Sequence, residues 1–136
     1  MLLRVGTVGI DILPELECPT KIVEVETFLR IRPNKVYREI DGYKVKMSSS
    51  RYPVFQRSLC CVKCGLMGEF FAIERHHKDG GETYHLNLYA IKDGLEVLMT
   101  KDHITSKKNG GRDCQDNYQT MCLPCNMDKG TENKKY

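Results

Sequence analysis

Hydrophobic and polar positions change their period several times along the chain, and the changes divide it into elements. "LLRVGTV", near the start, reads as a strand. "TKIVEVETFLRI" fits both an alternating strand and a helix opened by Thr20, and a helix over 20–31 is the expectation. "GYKVKM" alternates after the Asp41-Gly42 turn and predicts a strand. "SSSRYPVFQRSL" offers serine caps and a proline suited to a first turn, predicting a short helix at 50–59. Two strands follow, "GEFFAIE" (68–74) and "TYHLNLYAI" (83–91), around the glycine-containing turn "HHKDGGE". A third, "LEVLMT" (95–100), comes after the turn signal Lys92-Asp93-Gly94. Beyond the polar loop "SKKNGGRD", a short strand is expected at "NYQTM". A last helix starts near Leu123 with Pro124 in its first turn. Gly130 marks its end or at least weakens it, and the tail "TENKKY" frays. There is no internal repeat, and the mixture of elements is α+β.

Length and composition narrow this picture. A chain of 136 residues has the size of one compact domain. With 40% hydrophobic residues and no Trp, its core is modest and would benefit from a metal cross-link. No run approaches the ~20 apolar residues of a membrane span. The opening "MLLRVGTVGIDILPE" is too short in apolar residues for a signal peptide and meets acids early. A soluble cytoplasmic chain without membrane contact is therefore expected. The net charge of +3 is unevenly spread, with net −3 over 1–27, +6 over 28–60, −2 over 61–100 and +2 over 101–136. Two basic regions are what a polyanion-binding face requires, although ordinary solvated lysines and arginines give the same distribution.

Seven cysteines in a reducing compartment point to metal ligands rather than disulfides. Cys61-Val-Lys-Cys64 and Cys122-Leu-Pro-Cys125 are two C-x-x-C pairs, each able to turn both sulfurs toward one tetrahedral zinc ion. Gly65 supplies the tight turn after the first pair. The 57 residues between the pairs exceed those of a simple zinc ribbon, so an inserted hairpin must return the chain. A redox pair or ordinary buried thiols are the alternatives. Cys60 is a less usual substitute for Cys61, and Cys18 and Cys114 read as spectators. Four thiolates would close the zinc shell, making that site structural and leaving catalysis to other residues.

Asp102-His103, Asn117, Asn126 and Lys129-Gly130, interwoven with the cysteine pairs, resemble the HNH endonuclease family over about residues 60–131. Parts of the chain, "GYKVKM…RYPVFQRSLCCVKCG" and "YHLNLYAI…EVLMTKDHI", are also similar to small HNH proteins of bacteriophages. The resemblance implies a ββα-metal (His-Me finger) core over 60–131 with a structural four-cysteine zinc site. Residues 1–59 would form a small, partly basic α/β extension packed on it, and 132–136 the frayed tail.

The resemblance also implies roles. His103 would be the general base for the attacking water, a task suited to an imidazole at neutral pH. Asp102 and Asn126 would hold one divalent ion, and their hard oxygens favour Mg²⁺ or Mn²⁺. Asn126 stands where a variant of the family has a third His, which puts a nitrogen-preferring catalytic ion in doubt. Asn117 would brace the loop and orient the base. Lys129 would steady a phosphate, with Lys101, Lys107, Lys108 and Arg112 gripping flanking ones. The implied partner is DNA, read as double-stranded; one site per monomer would nick it, and two coordinated cuts would need a second active site, as in a homodimer, or successive events.

Each of these residues also has a plainer reading. His103 can be a loop imidazole acting as a cap, Asn117 a turn residue and Asn126 an exposed helix side chain. His76-His77 reads as a solvated hairpin turn, His85 as a half-buried strand position, and Tyr84, Tyr89, Phe70 and Phe71 as core. The rival functional reading is a catalytically inactive, zinc-braced DNA- or protein-binding module of phage origin.

Overall fold

The computed structural model describes residues 2–10, 37–76 and 83–133, with backbone only for His76 and 131–133. The helix expected over 20–31 and residue His77 lie outside the described residues, as does the tail from 134.

Seven strands make one mixed sheet: β1 (Leu2–Val8), β2 (Tyr37–Ile40), β3 (Tyr43–Lys46), β4 (Phe70–His76), β5 (Thr83–Lys92), β6 (Leu95–His103) and β7 (Tyr118–Cys122). Among the described residues two α-helices accompany it, α1 (Arg51–Arg57) and α2 (Leu123–Asn133). The class is α+β, with helices few beside the sheet.

The ten-residue β5 organises the sheet. One edge pairs antiparallel with β4, from Phe70↔Tyr89 to Glu74↔His85. The other edge is shared: β3 lies parallel to its start, Lys44↔Thr83 and Val45↔Tyr84, and β6 antiparallel to its end, Tyr89↔Leu98 to Lys92↔Leu95. β1 extends the sheet beyond β4, with Val5 as the extra residue where the register shifts between Arg4 and Gly6. The β5–β6 hairpin turns through Asp93 and Gly94, both at positive φ, which accounts for the strength of that turn signal.

Because side chains alternate across a strand, the centre of the sheet has two different faces. Phe71, Ile73, Leu86 and Leu88 pair across β4 and β5 on one face, fully buried, with the Phe55 ring 6.3 Å from that of Phe71. Each such side chain removed from water contributes about 1.5–3 kcal/mol. The intervening positions carry a polar network. Buried Glu74 accepts from Arg4 Nε (3.1 Å), Asn87 Nδ2 (2.8 Å) and the Tyr89 hydroxyl (2.7 Å). Arg4 also makes a two-bond contact with Glu96 (2.8 and 2.9 Å), so the network ties β1, β4, β5 and β6 together. A buried carboxylate is tolerated here because its oxygens are supplied with donors.

Several boundaries differ from the sequence reading: β6 runs past 100 to His103, α1 is shorter than 50–59, His76 ends β4 instead of lying in the turn, and two more have a local cause. α2 continues through Gly130 to Asn133, since a glycine inside a helix costs only about 1 kcal/mol and the inward face of α2 is held by contacts described below. The strand expected from Gly68 begins at Phe70. Gly68 instead lies so close to Leu88 that an added Cβ would come within 2.6 Å of its side chain. Tyr89 and Phe71 are core as expected, while Phe70, Tyr84 and His85 are half-buried.

Candidate functional site

The four cysteines of the two pairs converge, with all their sulfurs within 4.8 Å of one another. Local structure explains why. Gly65, at φ +80°, donates its N–H to the Cys61 carbonyl (2.9 Å), and Cys61 N–H reaches Leu66 O (2.8 Å), closing a tight knuckle. Val62 N–H to Thr120 O (3.0 Å) and the Thr120 hydroxyl to Ser58 O (2.6 Å) fasten that knuckle to β7. Cys122 closes β7, and Cys125 lies in the first turn of α2.

The donor set fits zinc. A tetrahedral centre with four thiolate ligands has sulfur–sulfur edges of about 3.8 Å, and Cys64 Sγ and Cys122 Sγ stand 3.7 Å apart. Burial pushes the Cys61 thiol up, yet backbone hydrogen bonds at Cys64, Cys122 and Lys63 outweigh it and hold the thiol at about 6. Neighbouring sulfurs, Cys122 first, push Cys125 up to about 12. A divalent ion relieves that crowding of sulfurs. Cys60 pairs instead with Met67 in an isolated bridge and stays out of the cluster, and exposed Cys114 is likewise apart. Cys18 lies outside the described residues.

β6 and β7 form the second part of the site, in register from Met99↔Cys122 to His103↔Tyr118. Alternation sends Thr100 and Asp102 toward α2, and Lys101 and His103 away from it. On the α2 side, half-buried Cys125, Asn126 and Lys129 recur at helical spacing as the inward face, while Met127 and Asp128 are exposed. Asn126 Nδ2 donates to Thr100 Oγ1 (2.9 Å), whose hydroxyl donates to Met121 O (2.7 Å). Asp102 is 8% exposed. Its Oδ2 accepts from Gln119 Nε2 (2.9 Å) and Lys129 Nζ (2.7 Å), and Lys129 also donates to the His103 carbonyl.

Both contacts to Asp102 fall on one oxygen. Asp102 Oδ1 and Asn126 Oδ1 therefore accept no hydrogen bond among the described residues, and these are the hard oxygens a Mg²⁺- or Mn²⁺-like ion prefers. The chemistry of the residues present fits such an ion, with the Lys129 ammonium already opposite part of the carboxylate charge.

On the other side, His103 Nε2 lies 2.7 Å from Asp113 Oδ1, and the Tyr118 ring meets the imidazole edge-on at 5.2 Å. Lys107 Nζ holds the second oxygen of Asp113 at 2.7 Å. Lys107 and then His103 keep the Asp113 carboxyl below its ordinary value. Lys101 donates to Ser50 Oγ (2.7 Å) with its ammonium 4.1 Å from the centre of the Tyr118 ring, and burial lowers its pKa. Ser50 holds the N-cap position of α1, but its hydroxyl serves Lys101 instead of the helix.

The loop between β6 and β7 is tied across its base by Asn117. Its Oδ1 accepts from Thr105 N (2.8 Å), and its Nδ2 donates to Thr105 O and Arg112 O, both at 2.9 Å. Gly111 presses on the same knot: a Cβ there would stand 1.7 Å from Thr105 O. The basic residues proposed for flanking phosphates are spread around this loop. Lys107, Lys108 and Arg112 are exposed, and Lys101 is half-buried.

Sequence reasoning passed over Asp113, Gln119, Thr100, Ser50 and Gly111. Gln119 was accessible in principle, because an antiparallel β6–β7 pair places it opposite Asp102. Asp113, in a loop without periodicity, carries no such signal. No curated protein and no solved structure matches the chain. One family model does, described as HNH endonuclease, over residues 90–132, which spans β6, the braced loop, β7 and nearly all of α2. The match suggests a nuclease-type function on nucleic acid for that segment, and by motif and by family match alike, this chain resembles the HNH endonucleases.

Proposed function

We propose that the chain is a metal-dependent endonuclease that hydrolyses DNA phosphodiester bonds, with β6, β7 and α2 acting as a ββα-metal unit and the zinc-bound cysteines as its frame. One observation carries the reading. At one end of β6, inside the family-matched segment, half-buried His103 directly follows buried Asp102, and α2 sets Asn126 and Lys129 against the Asp102 side of the strand, with one hard oxygen of Asp102 and of Asn126 unengaged among the described residues.

His103 takes the proton of the attacking water. Asp102 and Asn126 hold one Mg²⁺ or Mn²⁺ ion, which when bound offsets the charge that develops on the phosphate and the departing oxygen. Lys129 holds the Asp102 carboxylate in place and lends its positive charge to the phosphate. Lys101, Lys107, Lys108 and Arg112 supply salt-dependent contacts to flanking phosphates of double-stranded DNA. Asn117 holds the loop that orients the base. One site makes one nick; a second copy of the chain would be needed for a coordinated double cut. A cytoplasmic, phage-encoded setting accords with the motif similarity.

A second reading has its own support. The Lys129 ammonium on Asp102 supplies the cation that a binding module without catalysis would need there. Supercoiled plasmid incubated with the protein and Mg²⁺ or Mn²⁺ separates the two. Nicking that disappears with EDTA and with His103→Ala is the expected result. Unchanged plasmid, with equal gel shifts for the wild type and the variant, would establish the binder instead.

A further inference from the structure

The imidazole of His103 is held by a carboxylate that belongs to no motif. A carboxylate at neutral pH only accepts, so the 2.7 Å contact with Asp113 Oδ1 requires the hydrogen on Nε2. The lone pair is then on Nδ1, which has no hydrogen-bond partner among the described residues. Asp113 is itself constrained from three directions. Lys107 takes its second oxygen, Asn117 ties the preceding carbonyl of Arg112, and Gly111 packs where no Cβ fits. Tyr118, edge-on to the ring, blocks one direction of rotation.

We propose that Asp113 is a positioning residue, backed by Lys107, that fixes His103 as the Nε2–H tautomer and presents Nδ1 to the water attacking the phosphodiester. The proposal rests on the nuclease reading for its chemistry, but the tautomer it requires exists without DNA. A second nitrogen is what makes imidazole steerable: the partner of one nitrogen decides which face of the ring is basic. In Asp113→Asn the amide can donate as well as accept, so either tautomer finds a partner and the orientation is no longer unique.

Three measurements on the zinc-loaded full chain test this. Long-range ¹H–¹⁵N spectra, recorded at a pH where the ring is neutral, should give His103 as the Nε2–H form in the wild type and a mixture in Asp113→Asn. Single-turnover nicking at saturating plasmid should slow about ten- to a hundredfold in Asp113→Asn. The dissociation constant for a short duplex should change less than about twofold, since positioning acts on the chemical step. Asp113→Glu, which retains the carboxylate, should recover part of the rate. An Nδ1–H wild-type ring, wild-type rates in Asp113→Asn, or a loss confined to affinity would each overturn the proposal. If the wild type nicks nothing, the nuclease reading falls, while the tautomer spectra still decide whether Asp113 sets the ring.

Discussion

Replacing Asn117 by Ala tests how the loop is held, because one side chain closes it with three hydrogen bonds. Two of them bracket Thr105 through its N–H and its carbonyl, and the third takes the carbonyl of Arg112, next to Asp113. A net contribution near the lower limit of about 0.5–1.5 kcal/mol per bond is appropriate, since these bonds lie at the surface and water replaces the lost partners. The sum is about 1.5–2 kcal/mol, more than tenfold in the equilibrium for opening the loop. The Thr105 amide should therefore exchange with deuterium at least tenfold faster, while β5 amides keep their protection. Nicking should slow with it, because the loop carries Asp113 to His103. Asn117→Asp makes a sharper comparison. It retains an acceptor for Thr105 N–H but turns a carboxylate oxygen toward two carbonyls, so its loop should open at least as readily as that of the Ala variant. Unchanged Thr105 exchange in Asn117→Ala would refute the account, as would full activity with an opened loop.

Two further outcomes follow from separate parts of the fold. Cys122→Ser removes one of four sulfurs and the residue joining β7 to α2. It should lose the bound equivalent of zinc by metal analysis and lower Tm by roughly 10 °C or more, since binding energy at a structural zinc site is folding energy; retention of one zinc would contradict the ligand set. Glu74→Gln keeps one acceptor oxygen for Asn87 and Tyr89 but turns an NH₂ group toward Arg4 and removes the buried charge, and should destabilise by about 3 kcal/mol in urea denaturation with zinc still bound. A loss below about 1 kcal/mol would show that the Arg4–Glu74 pair contributes little to the fold.

What could be read from residues alone was local or periodic. The strands after residue 42, the short α1, the Asp93-Gly94 turn and the start of α2 at Leu123 follow from alternation and turn chemistry, which act within a few residues. The two C-x-x-C pairs identified the four-sulfur cluster across 57 residues, because soft ligands at that spacing have few other uses. The order of Asp102-His103, Asn117 and Asn126 likewise pointed to the family that matches 90–132.

Only the tertiary structure decided the partners. That β3 runs parallel to β5, that Ser50 serves Lys101 rather than its own helix, that Lys129 meets Asp102 and that Asp113 takes His103 are all pairings between residues distant in sequence. Composition and period specify which way a side chain leaves its own element. Which atom it meets depends on the register of β6 with β7 and on a loop knotted at Asn117 and Gly111, and those are set by the packing of the whole chain.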